Sequence, residues 1–95
     1  MANALLSIQI IPIVSHEEVY SFVDEAIEVI KASNVKYEVN PMETTMEGDL
    51  SELLKIVEVM NKKMIELGAP NVISQIKMSY RPDGVSMDKL TEKHR

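Results

Sequence analysis

The chain has 95 residues, enough for one domain and too few for two domains with separate cores. Its net charge of −5 and 4% aromatic content argue against nucleic-acid binding, which needs clustered Lys and Arg and usually exposed aromatic rings. Because cysteine is absent, the composition excludes disulfides, thiolate catalysis and cysteine-bound zinc, and it fits a reducing cytoplasm.

The hydropathy pattern gives no membrane signal. The apolar runs are only a few residues long, whereas a helix that spans a bilayer needs roughly 20 apolar residues. Residues 1–4 lack the positive charge and the apolar stretch of a signal peptide. We therefore expect a cytoplasmic protein with neither a membrane nor a nucleic-acid partner.

The first predicted elements are a strand and a helix. Leu6, Ile8 and Ile10 alternate with polar residues, which is the period of a strand, and Pro12 marks the end of its regular pairing. Residues 15–18 have the S-x-x-E form of a capping box. Apolar residues follow at three- and four-residue spacing, which predicts a helix that ends at Asn34.

The next part of the chain is predicted to form two short strands followed by a second helix. Residues 36–40 alternate, with Tyr37 and Val39 inward, residues 41–43 turn the chain, and residues 44–47 return as a strand. Asp49, with Glu52 at the box position, is predicted to cap a second helix that Gly68 ends. The predicted buried stripe of this helix comprises Leu50, Leu53, Leu54, Val57, Met60, Met64 and Leu67.

The last part of the chain contains one more predicted strand, a turn and a polar tail. Residues 72–80 are predicted as the last strand, and residues 81–84 as a turn. Residues 86–95 either make a short polar helix or fray. The element order is β-α-β-β-α-β.

This order predicts an α+β fold of the ferredoxin-like type, a four-stranded antiparallel sheet with two helices on one face. We expect a single ligand-binding domain over residues 1–95, with residues 82–95 as a C-terminal turn and tail. No element is predicted to cover the other sheet face, so it is either a subunit interface or a solvated surface. The residues on that face are Ser7, Gln9, Ile11, Ile73, Gln75 and Lys77.

The connection at residues 40–49 carries the most informative polar cluster. In the returning strand, Thr45 and Glu47 point to one side and Thr44 points to the other. A partly desolvated Glu47 carboxylate needs donors, which a ligand amine, threonine hydroxyls or backbone amides could supply. In the alternative interpretation, Glu47 caps the following helix or meets Arg81 or a Lys.

Residues for catalysis, metal binding or a cofactor are not evident. His16 and His94 are the only histidines, and neither has acids at ligand spacing. The three glycines are isolated, so they cannot build a phosphate-binding loop. We therefore predict no catalytic residue, no metal and no cofactor. An acid–base enzyme using Glu47 is the weakest interpretation, because it lacks an evident second titratable group.

The segment 37–48, with its Thr-x-x-Glu-Gly element from Thr44 to Gly48, resembles the thiamine-binding YkoF-like family of small ferredoxin-like proteins. The opening strand that ends in residues 11–13 and the closing strand at residues 76–81 are similar too, so the resemblance covers roughly residues 5–82. Val14 and Glu43 depart from the pattern, since many relatives have glycine at both positions.

The resemblance implies non-enzymatic binding of thiamine, its hydroxymethylpyrimidine moiety or a related heteroaromatic molecule, and assembly into dimers or a homotetramer. It carries over as ligand-binding residues Asn40, Thr44, Thr45 and Glu47, with the backbone around Pro12, Ile13 and Val14; Tyr37 and Met42 are candidate walls. The alternative function is a structural or regulatory interaction module whose open sheet face builds an oligomer without a specific small ligand.

Overall fold

A computed structural model of the chain describes residues 2–95; Met1, which the domain prediction includes, lies outside them. The strands are β1 (Ala4–Pro12), β2 (Lys36–Val39), β3 (Thr44–Gly48) and β4 (Val72–Tyr80), and the helices are α1 (Val19–Ala32), α2 (Leu50–Glu66) and the short α3 (Met87–Thr91). A 3-10 turn, Glu92–His94, follows α3. None of the helices in residues 2–95 is long and apolar enough to cross a membrane.

The four strands form one antiparallel sheet in the order β2-β3-β1-β4. This confirms the predicted ferredoxin-like fold. Because strand side chains alternate, β1 buries Leu6, Ile8 and Ile10 on one face under α1 and α2. The core lies between this face and the two long helices, and it includes Phe22 of α1 and Met60 of α2.

The start of α1 differs from the predicted capping box. The helix begins at Val19, and its N-cap residue Glu18 makes no side-chain capping bond. Instead, the Ser15 hydroxyl donates to the Glu18 carboxylate at 2.9 Å, and the Ser15 carbonyl accepts from the amide of Val19 at 3.2 Å. The predicted end is confirmed, since Asn34 has a φ of 63°.

The start of α2 is also capped differently from the prediction. Asp49 makes no side-chain capping bond, and the Leu50 amide donates to Asn3 Oδ1 at 3.0 Å. The side-chain amide oxygen of Asn3, in the residues just before β1, therefore provides the cap that was predicted for Asp49.

The buried face of α2 is rotated slightly from the predicted stripe. Leu53, Met60 and Met64 are buried as predicted, and Ile56 joins them. Leu54 and Leu67 are exposed, because the strip of α2 that packs on the sheet is narrower than the predicted stripe of seven apolar residues.

The prediction that no element covers the second sheet face is wrong for its β2–β3 half. α3 forms, and Glu47 of β3 accepts a hydrogen bond from the Met87 amide at the start of α3. Lys36 and Glu38 of β2 pair with Asp88 and Arg95 on the tail. The tail thus lies over the β2–β3 half of the face. The charged residues that hold it are far apart in the sequence, so the sequence did not predict that they pair.

Candidate functional site

A cavity of about 450 Å³ opens on the helix side of the sheet, at the end where β2 turns into β3. Strands β1 and β3 provide its floor, α1 provides one wall, and the connection at residues 40–43 provides the opposite wall. The turn is closed by the Asn40 amide, which donates to the Glu43 carbonyl at 3.0 Å. The lining residues are Ile8, Gln9, Ile10, Ile11, Val19, Tyr20, Val23, Ile27, Val39, Asn40, Pro41, Met42, Glu43, Thr44 and Met60.

Thr44 is the feature that distinguishes this cavity from an ordinary core defect. It is 7% exposed, and it is the one buried polar residue found among residues 2–95. As the first residue of β3, it lies opposite Ile8 of β1 and Val39 of β2. A hydroxyl can both donate and accept, so a single polar group among apolar walls can orient a bound ring.

The mouth of the cavity lies between two large, exposed side chains. Tyr20 is 72% exposed on α1, and Met42 is 71% exposed on the facing connection. The His16 ring stands edge-on to the Tyr20 ring, with 6.4 Å between their centroids. A tyrosine ring and a polarizable thioether on opposite sides of the mouth are well suited to contact the two faces of a flat heterocycle.

Glu43 is the acidic residue of the lining, and its carboxylate is directed to Lys77 on the open face of the sheet. No Lys or Arg stands among the lining residues found in the described chain. Lys77 of β4 reaches over β1 to Glu43, with Nζ 3.3 Å from Oε1. This pair lies at the surface, with Lys77 largely exposed, so solvent screens it. Since these lining residues include no cation to neutralise an anionic ligand, the cavity suits a neutral or cationic ligand better.

Thr45 and Glu47 lie on the opposite face of the sheet from Thr44, as strand alternation predicts. The Thr45 hydroxyl is 2.6 Å from the Ser7 hydroxyl, and Glu47 Oε1 accepts the Met87 amide at 2.8 Å. Both side chains thus have partners within the protein. The Glu47 contact is a structural one, although it involves α3 rather than the helix that follows β3.

The tail around α3 is also held by two exposed ion pairs. The hydrogen bond from Lys36 to Asp88 raises the pKa of Lys36 above 10.5 and lowers the pKa of Asp88 below 3.8. Arg95 donates to both oxygens of Glu38, at 3.0 and 2.9 Å. The Asp88 contribution is therefore present above its ordinary pKa and is lost as the pH falls through the lowered value.

The structure brings together only part of the predicted ligand-binding set. Asn40, Met42 and Thr44 line the cavity. The remaining predicted residues stand outside its lining: Thr45 and Glu47 on the other face, Tyr37 and Val14 packed against the core, Pro12 buried in β1, and Ile13 exposed beyond it.

Several lining residues were missed by sequence reasoning, above all Tyr20, Val23 and Ile27 of α1. The signal was present, because Val19, Val23 and Ile27 follow each other at i, i+4 beside the buried stripe of Phe22, Ala26 and Ile30. A second apolar stripe that stays only partly buried can indicate the wall of a cavity.

Comparison with known proteins identifies relatives over the full length of the chain. The family described as thiamine-binding protein matches residues 6–95. A UPF0045 protein of Clostridium perfringens is 47% identical over 95 residues, which is 100% of both chains. A Bacillus cereus domain of unknown function, DUF77, superposes with a TM-score of 0.91 at 42% identity, covering 100% of this chain and 93% of that one.

A further solved structure comes from Thermotoga maritima and carries a provisional assignment to thiamine biosynthesis or salvage. It superposes with a TM-score of 0.91 at 28% identity, and the match covers 98% of this chain and 99% of that chain. The family match extends over β1 to the C-terminal residue, so it includes the cavity and the tail. The chain belongs to the thiamine-binding protein family.

Proposed function

We propose that this chain binds thiamine, its hydroxymethylpyrimidine moiety or a related small heteroaromatic molecule, without catalysis, in the helix-side cavity. The observation that carries the proposal is the buried Thr44 hydroxyl at the floor of an otherwise largely apolar cavity. The family description, thiamine-binding protein, supports both the ligand class and the absence of a catalytic step.

Size and shape support a small ligand of this kind. The volume of about 450 Å³ falls within the range of roughly 300–1,000 Å³ that is usual for small-molecule pockets. In the proposed complex, a planar ring lies between Tyr20 and Met42, and its polar edge meets Thr44 and Asn40. The apolar side chains of α1 and β1 exclude water from the ring faces.

Charge supports thiamine or its pyrimidine part over phosphorylated forms. The lining residues found in residues 2–95 include no Lys or Arg to neutralise a phosphate, and they include the acidic Glu43. Lys77 weakens this preference, because its ammonium pairs with Glu43 from outside the cavity. We therefore expect thiamine to bind more tightly than thiamine diphosphate.

The test is a calorimetric titration of the protein and of two matched variants with thiamine and with hydroxymethylpyrimidine. Thr44→Val removes the buried hydroxyl, and we expect affinity to fall about five- to tenfold, as the loss of one hydrogen bond predicts. Thr45→Val makes the same chemical change one residue along, on the other face, and should leave the affinity unchanged. Equal affinities in all three proteins would refute a ligand contact at Thr44.

Glu47→Gln separates two locations for the ligand. If the ligand occupies the helix-side cavity, this variant binds like the original protein, because Glu47 faces α3. If Glu47 instead accepts an amino group of the ligand, as the family resemblance implies, affinity falls more than tenfold. That result, together with an unchanged Thr44→Val, would move the site to the open face.

The second candidate is an interaction module in the cytoplasm that assembles through its sheet and has no specific small ligand. The observation in its favour is the β1–β4 half of the open face, where Leu5, Ile11 and Ile73 are partly exposed. Under this alternative, the melting temperature rises with protein concentration and is indifferent to thiamine. Under the leading proposal, thiamine itself raises the melting temperature.

A further inference from the structure

The connection at residues 40–43 lines one side of the cavity, yet most of it is exposed. Asn40, Pro41 and Met42 are exposed, and Pro41 has no amide hydrogen to donate. In the part of the chain that the structure describes, two polar contacts hold this connection. The Asn40 amide donates to the Glu43 carbonyl, which closes the turn on itself, and the Glu43 carboxylate pairs with Lys77. The second contact is the one that joins the turn to a strand outside the β2–β3 hairpin.

Glu43 is in contact with both sides of the sheet. The side chain of its neighbour Thr44 lies on the helix side, so strand alternation directs the Glu43 side chain to the open face. There the Lys77 Nζ lies 3.3 Å from Oε1 of Glu43. Glu43 is nevertheless among the residues that line the cavity. A contact on the open face therefore restrains a residue of the cavity on the other face.

The path of the ion pair runs diagonally over β1. Lys77 lies opposite Ser7 of β1, and Ser7 lies opposite Thr45 of β3, two residues from Glu43. From the usual strand spacing, the pair spans about 10 Å across the sheet and about 7 Å along β3. The small Ser7 side chain leaves this path open. Both charged side chains must be nearly extended to meet, so the pair limits movement of Glu43 away from β1.

We propose that Lys77 is a positioning residue for the cavity, which holds the residue 40–43 connection in place through Glu43. Met42 then stays opposite Tyr20 before a ligand arrives. The inference rests on the proposed function, because it takes the ligand to bind between these two side chains. Lys77 acts from the open face and does not contact the ligand. A connection that is already ordered does not have to be ordered on binding, and this raises the affinity.

The expected effect is modest because the pair is exposed. The Lys77 side chain is 79% exposed and the Glu43 side chain 30% exposed, so water and salt weaken their attraction. An exposed ion pair changes an equilibrium constant by about two- to fivefold. Loss of Lys77 also removes a positive charge near the cavity, which by itself favours a cationic ligand. Hydroxymethylpyrimidine has no fixed charge, so its affinity reports the position of the connection more directly than that of thiamine.

The test is a calorimetric titration of the full chain and its variants with hydroxymethylpyrimidine, with circular dichroism as the check on folding. Lys77→Met keeps most of the apolar side chain and removes the charge, and we expect the affinity to fall about two- to fivefold. Lys77→Arg restores a cation that can reach Glu43 and should bind like the original chain. Lys62→Met removes an exposed lysine that pairs with Glu58 on α2 and should also leave the affinity unchanged.

A double-mutant cycle identifies Glu43 as the partner of Lys77. Glu43→Gln should weaken binding about as much as Lys77→Met, and the two changes together should weaken it no more than either alone. Exchanging the charges, with Lys77→Glu and Glu43→Lys in one chain, should recover most of the affinity that Lys77→Glu loses. Additive losses in the cycle, or an exchange that recovers no affinity, would overturn the proposal.

Hydrogen exchange of the ligand-free protein separates this inference from the proposed function. The Asn40 amide, which donates to Glu43, should exchange about two- to fivefold faster in Lys77→Met and at the original rate in Lys62→Met. An unchanged rate in Lys77→Met would overturn the positioning role. Faster exchange in Lys77→Met, in a chain that binds neither thiamine nor hydroxymethylpyrimidine, would refute the proposed function and still support the restraint of the connection by Lys77.

Discussion

At the scale of single residues, the two adjacent threonines show how strongly strand geometry assigns roles. Thr44 and Thr45 have the same side chain, yet Thr44 is buried at the floor of the cavity and Thr45 is hydrogen-bonded to Ser7 on the opposite face. The difference follows from the period of two in a strand, which places successive side chains on opposite sides of the sheet.

A double-mutant cycle tests the structural role of Thr45. Thr45→Val removes the hydroxyl that pairs with Ser7, and we expect it to lower the free energy of unfolding by about 1 kcal/mol. In Ser7→Ala, the added effect of Thr45→Val should nearly vanish, because the pair is already broken. The measurement is urea denaturation of the four proteins.

Thr44→Val provides the control for this cycle. It should show no coupling with Ser7→Ala, since Thr44 lies on the other face of the sheet. Additive effects of Ser7→Ala and Thr45→Val would mean that the hydroxyl pair contributes nothing to stability.

At the scale of elements, α3 is too short to be stable alone and depends on the contacts that dock it. Met87 is its buried residue, and the amide of Met87 also donates to Glu47. Ser86 caps the helix by accepting from the Lys89 amide at 3.4 Å. The ion pairs at Asp88 and Arg95 are exposed, so each contributes little.

Met87→Ala should therefore release α3 while the sheet stays folded. The truncated side chain loses its apolar burial, and we expect tryptic cleavage after Lys89 to become at least about tenfold faster, equivalent to about 1.4 kcal/mol of lost docking. Leu90→Ala alters an exposed residue of the same helix and should be cleaved at the original rate. Equal cleavage of Met87→Ala and the original chain would show that Met87 does not hold the tail.

At the scale of the whole molecule, stability should decrease from the centre of the sheet outward. β1 is hydrogen-bonded on both sides, to β3 and to β4, and its inner face is covered by both long helices. β2 is short and lies at an edge, and α3 rests on one face only. Opening of these outer elements does not require the core to unfold.

Native-state hydrogen exchange checks this order. The amides of Leu6, Ser7 and Ile8 should exchange slowest, at the free energy of global unfolding, and those of α3, Met42 and Glu43 should exchange fastest. The order should persist at several denaturant concentrations. Protection of α3 equal to that of β1 would mean that the tail unfolds together with the core.

The fold could be predicted from the sequence because its elements carry strong local signals. Apolar residues alternate in β1 and recur at helical spacing in α1, and Asn34 and Gly68, which have positive φ, follow the ends of α1 and α2. Each of these signals involves only residues that are close together in the sequence. Caps were less predictable, since the donor or acceptor can come from far along the chain. Asn3 caps α2 from 47 positions away, and no spacing rule within the helix could indicate it.

The candidate site was predicted only in part for a related reason. Sequence reasoning selected the connection at residues 40–44, and the structure sets Asn40, Met42 and Thr44 on one cavity. Tyr20 joins them only because α1 crosses the sheet at this end. The Met87 amide is a partner of Glu47 that the sequence could not indicate, because 40 positions separate the two residues.

The order of residues by itself determined the helices, the strands, their inward faces and the topology, because each depends on period, turn chemistry and short connections between neighbours. The tertiary structure alone decided which distant groups meet: the side chains of α1 and of residues 40–43 around the cavity, and the Glu47 carboxylate with the Met87 amide of α3. These contacts join residues that are far apart in the sequence. Residue spacing does not indicate which distant groups become neighbours once the core has packed.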